Sequence, residues 1–593
     1  MLECHAMEQE PPKPGVDGSK PGGMSIDQPH SSRYLGQGSD TQFLNLAANS
    51  LGAFSPAEDT ERENTESGGG DEVPAPRKPL PTWTRMMPSW DVVETYLDAY
   101  FTTVHIAYPF LPRSHFIRKF KDAQCGDCGG NQLTAAWYAL FYGVLAIGAL
   151  HDHLLPQPSS SPSNLHEQYF QQSIHLTDIN RLEASAVQVS VLLLQCLYLL
   201  AVSRTDKCWI TLGIAVRLAQ ALGLHMDFAG GTRSWSYLLP VSQRIEIRRR
   251  VWYSLYVMDR LLALQAGRPP AIADGGFGIP LPSNLDDNKH DWEIDTPFPS
   301  SNEPSLGVYF LHVIELSRLS GDVVQRLNEG IKTTNVRLAE ARQLEAEFSA
   351  WKHKLPRYLR FDLVHVFDKS PHFKRQRNML AIQYHHLRAL LHRQWLRLPT
   401  PDPTHTQLWT ETEPMEARRY GEICISEAHR TASLFHNLSD PSELIFGFPW
   451  WQLVDCVVCA ASILIVALNL RRADESGTEG EELREDANAC LEVLNAVCER
   501  SKGCQHARDT IASLLSRCSA ATRTSAEEGQ SDAPLLFQAQ SAAQYSGTDI
   551  YATGEELPFN WMNNVDYSQD QSFIGHVFDP VLWSTQLLHS MGT

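Results

Sequence analysis

The side chains best able to ligate a metal or attack a substrate are the 12 cysteines and 23 histidines of this 593-residue chain. Cys125 and Cys128 have the Cys-x-x-Cys spacing that brings two thiolates to one zinc ion. A structural site needs two further ligands, and the nearest are His151 and His153. One pair in a Gly-rich stretch reads better as a loop. His385, His386 and His392 share an amphipathic pattern with Arg388 and Arg393. Adjacent histidines point to different faces of a helix, so surface or core positions are expected rather than a ligand set. Gly143 and Gly148 are spaced as in a phosphate loop, but Ala149 stands where the lysine must be and both glycines lie in a helical pattern. Gly275, Gly276 and Gly278 follow an Asp-bearing turn rather than a strand, which reads as a turn. Neither a Gly-x-Ser-x-Gly elbow nor His-Glu-x-x-His occurs. The expectation is a non-enzyme without metal or cofactor.

The elements that would position these residues read as helices. Behind Ser89 as N-cap, Val93, Tyr96, Leu97, Tyr100, Phe101 and Val104 recur on one face, and Pro109 and Pro112 stop the run. Residues 133–150 and 184–202 are apolar nearly all round, as buried helices are. Asp206 is placed to cap a helix with a stripe of Trp209, Leu212, Val216, Ala219 and Leu222, and Gly223 to end it. Residues 241–265 continue to Gly267, where Pro269 and Pro270 forbid extension. Further helices are predicted at 309–327, 336–351, 377–396, 417–435, 450–469 and 482–498, with an acidic linker at 474–485. No stretch alternates with period two over a strand's length. The fold class is therefore all-α: a multi-helix array over residues 89–518, between disordered tails at 1–88 and 519–593.

Charge and hydropathy narrow the partners. The balance of 50 Lys+Arg against 69 Asp+Glu gives a net charge of -19, which disfavours a polyanion. Arg244, Arg248, Arg249 and Arg250 are interrupted by Glu246, and their spacing suits ordinary helix-face ion pairs. The apolar stretches 189–202 and 456–468 fall short of the ~20 residues that span a bilayer, so no membrane is expected. Cysteines such as Cys196, Cys456 and Cys459 sit in apolar helical patterns as small hydrophobes, suiting a reducing compartment.

Two blocks carry a family resemblance. One runs from Ala184 through Cys208-Trp209-Ile210 to Leu212-Gly213-Ile214-Ala215-Val216-Arg217-Leu218-Ala219 and Leu222-Gly223-Leu224-His225. The other reads Arg248-Arg249-Arg250-Val251-Trp252-Tyr253-Ser254-Leu255-Tyr256-Val257-Met258-Asp259-Arg260, then Gly267-Arg268-Pro269-Pro270. Together they resemble the fungal-specific transcription factor domain, the xylanolytic-activator-type regulatory region or middle homology region of zinc-cluster transcription factors. The likeness is densest over residues 91–290. Physically, Trp209, Trp252 and Tyr256 read as core residues. Arg217, Arg260 and Arg268 read as links between helices through carbonyls or acids such as Asp259. Gly213 would permit close packing.

The resemblance implies a nuclear regulator of transcription, with coactivators or a DNA-bound factor as partners and room for a small-molecule effector. Members usually carry six N-terminal cysteines holding two zinc ions; before Cys125 this sequence has only Cys4. Direct DNA binding is accordingly expected only through a zinc cluster outside this sequence. In the tail, acids alternate with Phe559, Trp561, Phe578 and Trp583, the composition of an activation segment or, as readily, of a strand or helix docked on the body. The competing expectations are a ligand-sensing or scaffold protein on the same helical body and, more remotely, an all-α enzyme.

Overall fold

The computed structural model describes residues 88–527, apart from segments 126–132, 156–163, 178–184, 228–238, 240, 285–303, 329–331, 364–369, 397–414, 437–442, 445–446, 472–476 and 500–503. Cys128, the tails at 1–87 and 528–593, and with them Phe559, Trp561, Phe578 and Trp583, lie outside the described residues. Within them there are fourteen α-helices and no strand.

Local sequence explains most helix boundaries. α1 (Trp90–Thr103) follows Ser89, whose extended backbone makes it the N-cap although its hydroxyl makes no capping bond. α2 (Arg113–Cys125) opens directly behind Pro112. α3 (Ala135–Leu154) is buried without interruption from Trp137 to His151, and α5 (Ala186–Ala201) from Ala186 to Leu200. Between them lies α4 (Leu165–His175). Ser185 caps α5 by accepting a hydrogen bond from the Gln188 amide at 3.2 Å. The cap of α6 (Thr205–Ala221) is Arg204, and Asp206, expected there, sits in the first turn instead. Gly223 ends that helix with φ 66°, the left-handed conformation a side chain disfavours. α7 (Val241–Ala266) ends in the same way on Gly267, with φ 60°.

α8 (Gly307–Asn328), α9 (Thr334–Lys354), α10 (Pro371–Arg393) and α11 (Met415–Ser433) continue the array, followed by α12 (Trp450–Arg471), α13 (Gly477–Cys498) and α14 (Gln505–Glu527). Most consecutive helices pack as hairpins. Their buried faces form two main cores. The first takes α1 to α8, faces of α9 and α10, and Trp450 and Trp451 at the start of α12. The second takes α10 to α14. α10 therefore serves both, with Leu380, Tyr384 and Leu387 in the first and Ile382 and Ala389 in the second.

Several sequence expectations change. The stretch 474–485 is mostly the first turns of α13, not a linker, and α14 runs past residue 519. α12 is 22 residues long, so length and hydropathy alone would let it cross a membrane. Here it packs against α10, α11, α13 and α14, as a core helix does. Cys498 and Cys504 are joined across the α13–α14 turn with Cα atoms 5.5 Å apart, whereas seven other described cysteines are free thiols. The glycines with phosphate-loop spacing are packing residues. A Cβ on Gly148 would lie 2.3 Å from the Tyr96 carbonyl oxygen, so α1 and α3 touch backbone to backbone there.

Candidate functional site

α7 projects Tyr253, Tyr256 and Arg260 from one face, at helical spacings of three and four, onto the chain that follows its own C-terminus. Tyr253 donates its hydroxyl hydrogen bond to the Ile279 carbonyl at 2.9 Å, and Tyr256 donates to Asp274 Oδ1 at 2.5 Å. Arg260 donates to Asp259 Oδ2, the Ile272 carbonyl and Asp274 Oδ1 at 2.8–2.9 Å. Asp259 in turn accepts the backbone amides of Ala271 and Ile272, each at 2.9 Å. The side chains of Asp259 and Arg260 are each 1% exposed. Burial raises the pKa of Asp259 above the ordinary carboxylate value, against the opposing effect of the two amides and Arg260. A buried charge without such partners would be costly, and all of these bonds except the Arg260–Asp259 pair go to the loop. Residues 267–284 are thus strapped to α7.

The strap extends at both ends. Glu246 accepts the Ser283 amide on both carboxylate oxygens at 3.0 Å and pairs with Arg250 Nε at 3.0 Å. Arg250 Nη1 also reaches the Pro109 carbonyl at 3.2 Å, tying the α1–α2 turn to α7. Arg248 donates to the Gly223 carbonyl at 2.8 Å, completing the cap of α6. The next residue but one, His225, accepts the amides of Gly278 and Ile279 on its carbonyl. Its imidazole lies against Trp252, and burial, aided by Arg248, lowers its pKa. Phe277, flanked by Gly276 and Gly278, plugs its ring among Trp252, Tyr253 and Tyr256. On α8, a Cβ on Gly321 would come 2.8 Å from Arg260 Nε, so the guanidinium needs glycine opposite it.

Not every motif residue joins this strap. Trp252 and Tyr256 are buried as expected, but Trp209 is only half-buried, under the guanidinium of Arg268 at 5.5 Å. Arg268 pairs with Asp206 at 2.9 Å in an exposed link between α6 and the strapped loop. Arg217 joins no second helix among the described residues: it is exposed and donates to Gln220 on its own α6. Gly213 is not a close-packing site, because a Cβ there would meet nothing within 4 Å. Arg249 is half-buried beside Tyr253, Pro269 is exposed and Pro270 half-buried. No group of three His, Cys, Asp or Glu residues able to hold a metal exists among the described residues. The arrangement braces the helices, and its polar groups turn inward onto backbone.

Residues 97–353, which contain the whole strap, match the family model for the fungal specific transcription factor domain. This segment is similar to the fungal specific transcription factor domain. Its relatives agree. Transcription factor FBD3 of Fusarium pseudograminearum is 24% identical over 443 residues, covering 68% of this chain and 54% of that protein. The acetamidase regulatory protein of Aspergillus fumigatus is 26% identical over 427 residues, covering 67% and 47%. Activator of stress genes 1 of Saccharomyces cerevisiae is 22% identical over 405 residues, covering 65% and 39%. The chain spans from about a fifth to about half of the length of the curated relatives it matches. No solved structure matches it.

Away from the strap, the structure assembles a second charged cluster whose partners sequence reading missed. Arg388 on α10 forks onto Glu345 of α9 at 2.7 and 2.9 Å and also reaches Glu427 of α11. His392 meets Glu345 at 2.6 Å, and His385 meets Glu427. Burial alone would raise the pKa of Glu345, but hydrogen bonds from His392 and Arg388 hold it at about 2. His385 and His392 are therefore core residues bound to carboxylates. The basic half of this cluster was legible on one helix; its acids lie on two others.

Proposed function

We propose that the chain is a fungal transcription regulator acting in the nucleus, with the helical body as its regulatory part. The observation that carries this is the match of residues 97–353 together with the role of its motif residues: Trp252, Tyr256, Asp259 and Arg260 brace α7 to the loop that follows it. Names such as transcription factor and regulatory protein among the relatives support it. Reading of base edges requires a presented element and cationic groups on phosphates. Of the clustered arginines, Arg248 and Arg250 are committed to the Gly223 and Pro109 carbonyls. DNA contact is thus assigned to a DNA-bound partner or to a zinc-cluster module outside this sequence, and coactivator contact to residues 528–593.

The test is a tethered reporter in a fungal host. Fused to a foreign DNA-binding domain, the chain changes reporter output and accumulates in the nucleus. Residues 528–593 alone activate, and replacing Phe559, Trp561, Phe578 and Trp583 by alanine silences them. A fusion that is expressed, folded and without effect on the reporter overturns the proposal.

A further inference from the structure

The two cores do not close on each other everywhere. Where α7, α8, α10 and α12 meet there is a cavity in which a water molecule's centre can occupy about 40 Å3. That is roughly three times what one water needs. Leu261, Leu264, Leu316 and Leu387 supply hydrocarbon walls. The polar lining is unusual for its charge: one carboxyl, Asp455, and no lysine or arginine. Much of that polar lining is already paired. Gln383 donates to Gln452 at 2.9 Å, and His386 meets the Cys456 thiol at 3.3 Å. What is left open is specific. Asp455 accepts from Gln265 through Oδ2, and its Oδ1 accepts no hydrogen bond among the described residues. Ser320, 5% exposed, has a buried hydroxyl with no partner.

We infer that this cavity binds a small primary alkylamine, its ammonium group donating to Asp455 and its short alkyl stem lying among the four leucines. The volume admits a few non-hydrogen atoms and no more. An anion would meet Asp455 with no cation to receive it, and a purely apolar ligand would leave the Asp455 and Ser320 oxygens unpaired. The neighbouring imidazole does not repel an ammonium. Burial and Arg393 push His386 down to about 4, so it is neutral at physiological pH. In the empty cavity burial pushes Asp455 up to about 7, opposed by the hydrogen bond from Gln265. An arriving ammonium favours the ionised form, so at pH near 6 each binding event releases a proton. Because α7 and α8 lie in the segment matched by the family model, and α12 belongs mainly to the second core, the amine would touch both. Its use as a signal rests on the regulator reading above, whereas the binding itself does not.

The experiment therefore reads binding on the purified full chain, not reporter output. Thermal shift and titration calorimetry compare n-propylamine and n-butylamine with n-butanol and butyrate at matched ionic strength. The amines raise the melting temperature saturably, and the alcohol and the acid do not. Apparent affinity rises about tenfold from pH 6 to pH 8, as the carboxyl ionises without the ligand's help. Calorimetry at pH 6 in two buffers of different ionisation enthalpy finds close to one proton released per amine. Asp455→Asn, which mimics the protonated acid in shape, abolishes the response, and Ser320→Ala weakens it. Equal shifts from butyrate or butanol, an undiminished response in a folded Asp455→Asn variant, or no response to amines overturns the inference. Should the Asn variant fail to fold, the proton count on the wild-type chain decides: a value near zero at pH 6 refutes the site.

Discussion

The two charged clusters make their arginine–carboxylate contacts by opposite routes. In the first, Arg260 and Asp259 are neighbours on α7, and their partners at Ile272 and Asp274 lie only 12 to 14 residues away in sequence. In the second, Arg388 collects Glu345 and Glu427 from 43 and 39 residues away on two other helices. A local device is written as a contiguous motif, which is why the segment from Tyr256 to Pro270 can be read as a unit. The distant one leaves only a run of basic residues on a single helix, and nothing in that run names the acids. The first cluster fixes a loop onto its own helix; the second fixes three helices to one another.

The largest effect that would break this contrast lies in the strap. Replacing Arg260 by alanine strands the Asp259 carboxylate in the core and should cost about 3–5 kcal/mol in urea unfolding. Arg268→Ala, removing a pair whose partners are 44% and 52% exposed, should cost no more than about 1 kcal/mol. Similar losses for the two would mean that Arg260 is not buried as described.

The aromatic pair sharpens the same point. Trp252, 1% exposed, should lose about 3–5 kcal/mol on truncation to alanine. Half-buried Trp209 should lose less than half as much. Identical melting temperatures for the two variants would contradict the burial difference between α6 and α7.

The most pH-dependent effect belongs to the second cluster. Glu345 is held at about 2 in the folded chain against an ordinary 4.5. A carboxylate depressed by folding contributes stability that is complete above the unfolded value and is lost as pH falls through the folded one. Wild type should therefore destabilise steeply between about pH 4.5 and 2. Glu345→Gln should cost on the order of 2 kcal/mol at pH 7 and show a shallower decline in that acid window. Parallel pH profiles for variant and wild type would remove Glu345 from the ionic cluster.

Apolar periodicity, glycine and proline determined the helices, because both act over a few neighbouring residues. They gave the uninterrupted burial of α3 and α5, the left-handed stops at Gly223 and Gly267, and the match of Tyr256, Asp259 and Arg260 to one helix and its following loop. The same local signals misplaced Asp206 as a cap, since its carboxylate is engaged by Arg268 from beyond α7. They also gave Gly213 a packing role that rightly belongs to Gly148, where the Tyr96 carbonyl crosses. Which face of α10 looks toward which core, and which acids meet Arg388, depends on helices tens of residues apart. The cavity at Asp455 depends on four helices at once. Only tertiary packing decides those contacts, because no local pattern records which side chain will arrive from elsewhere in the chain.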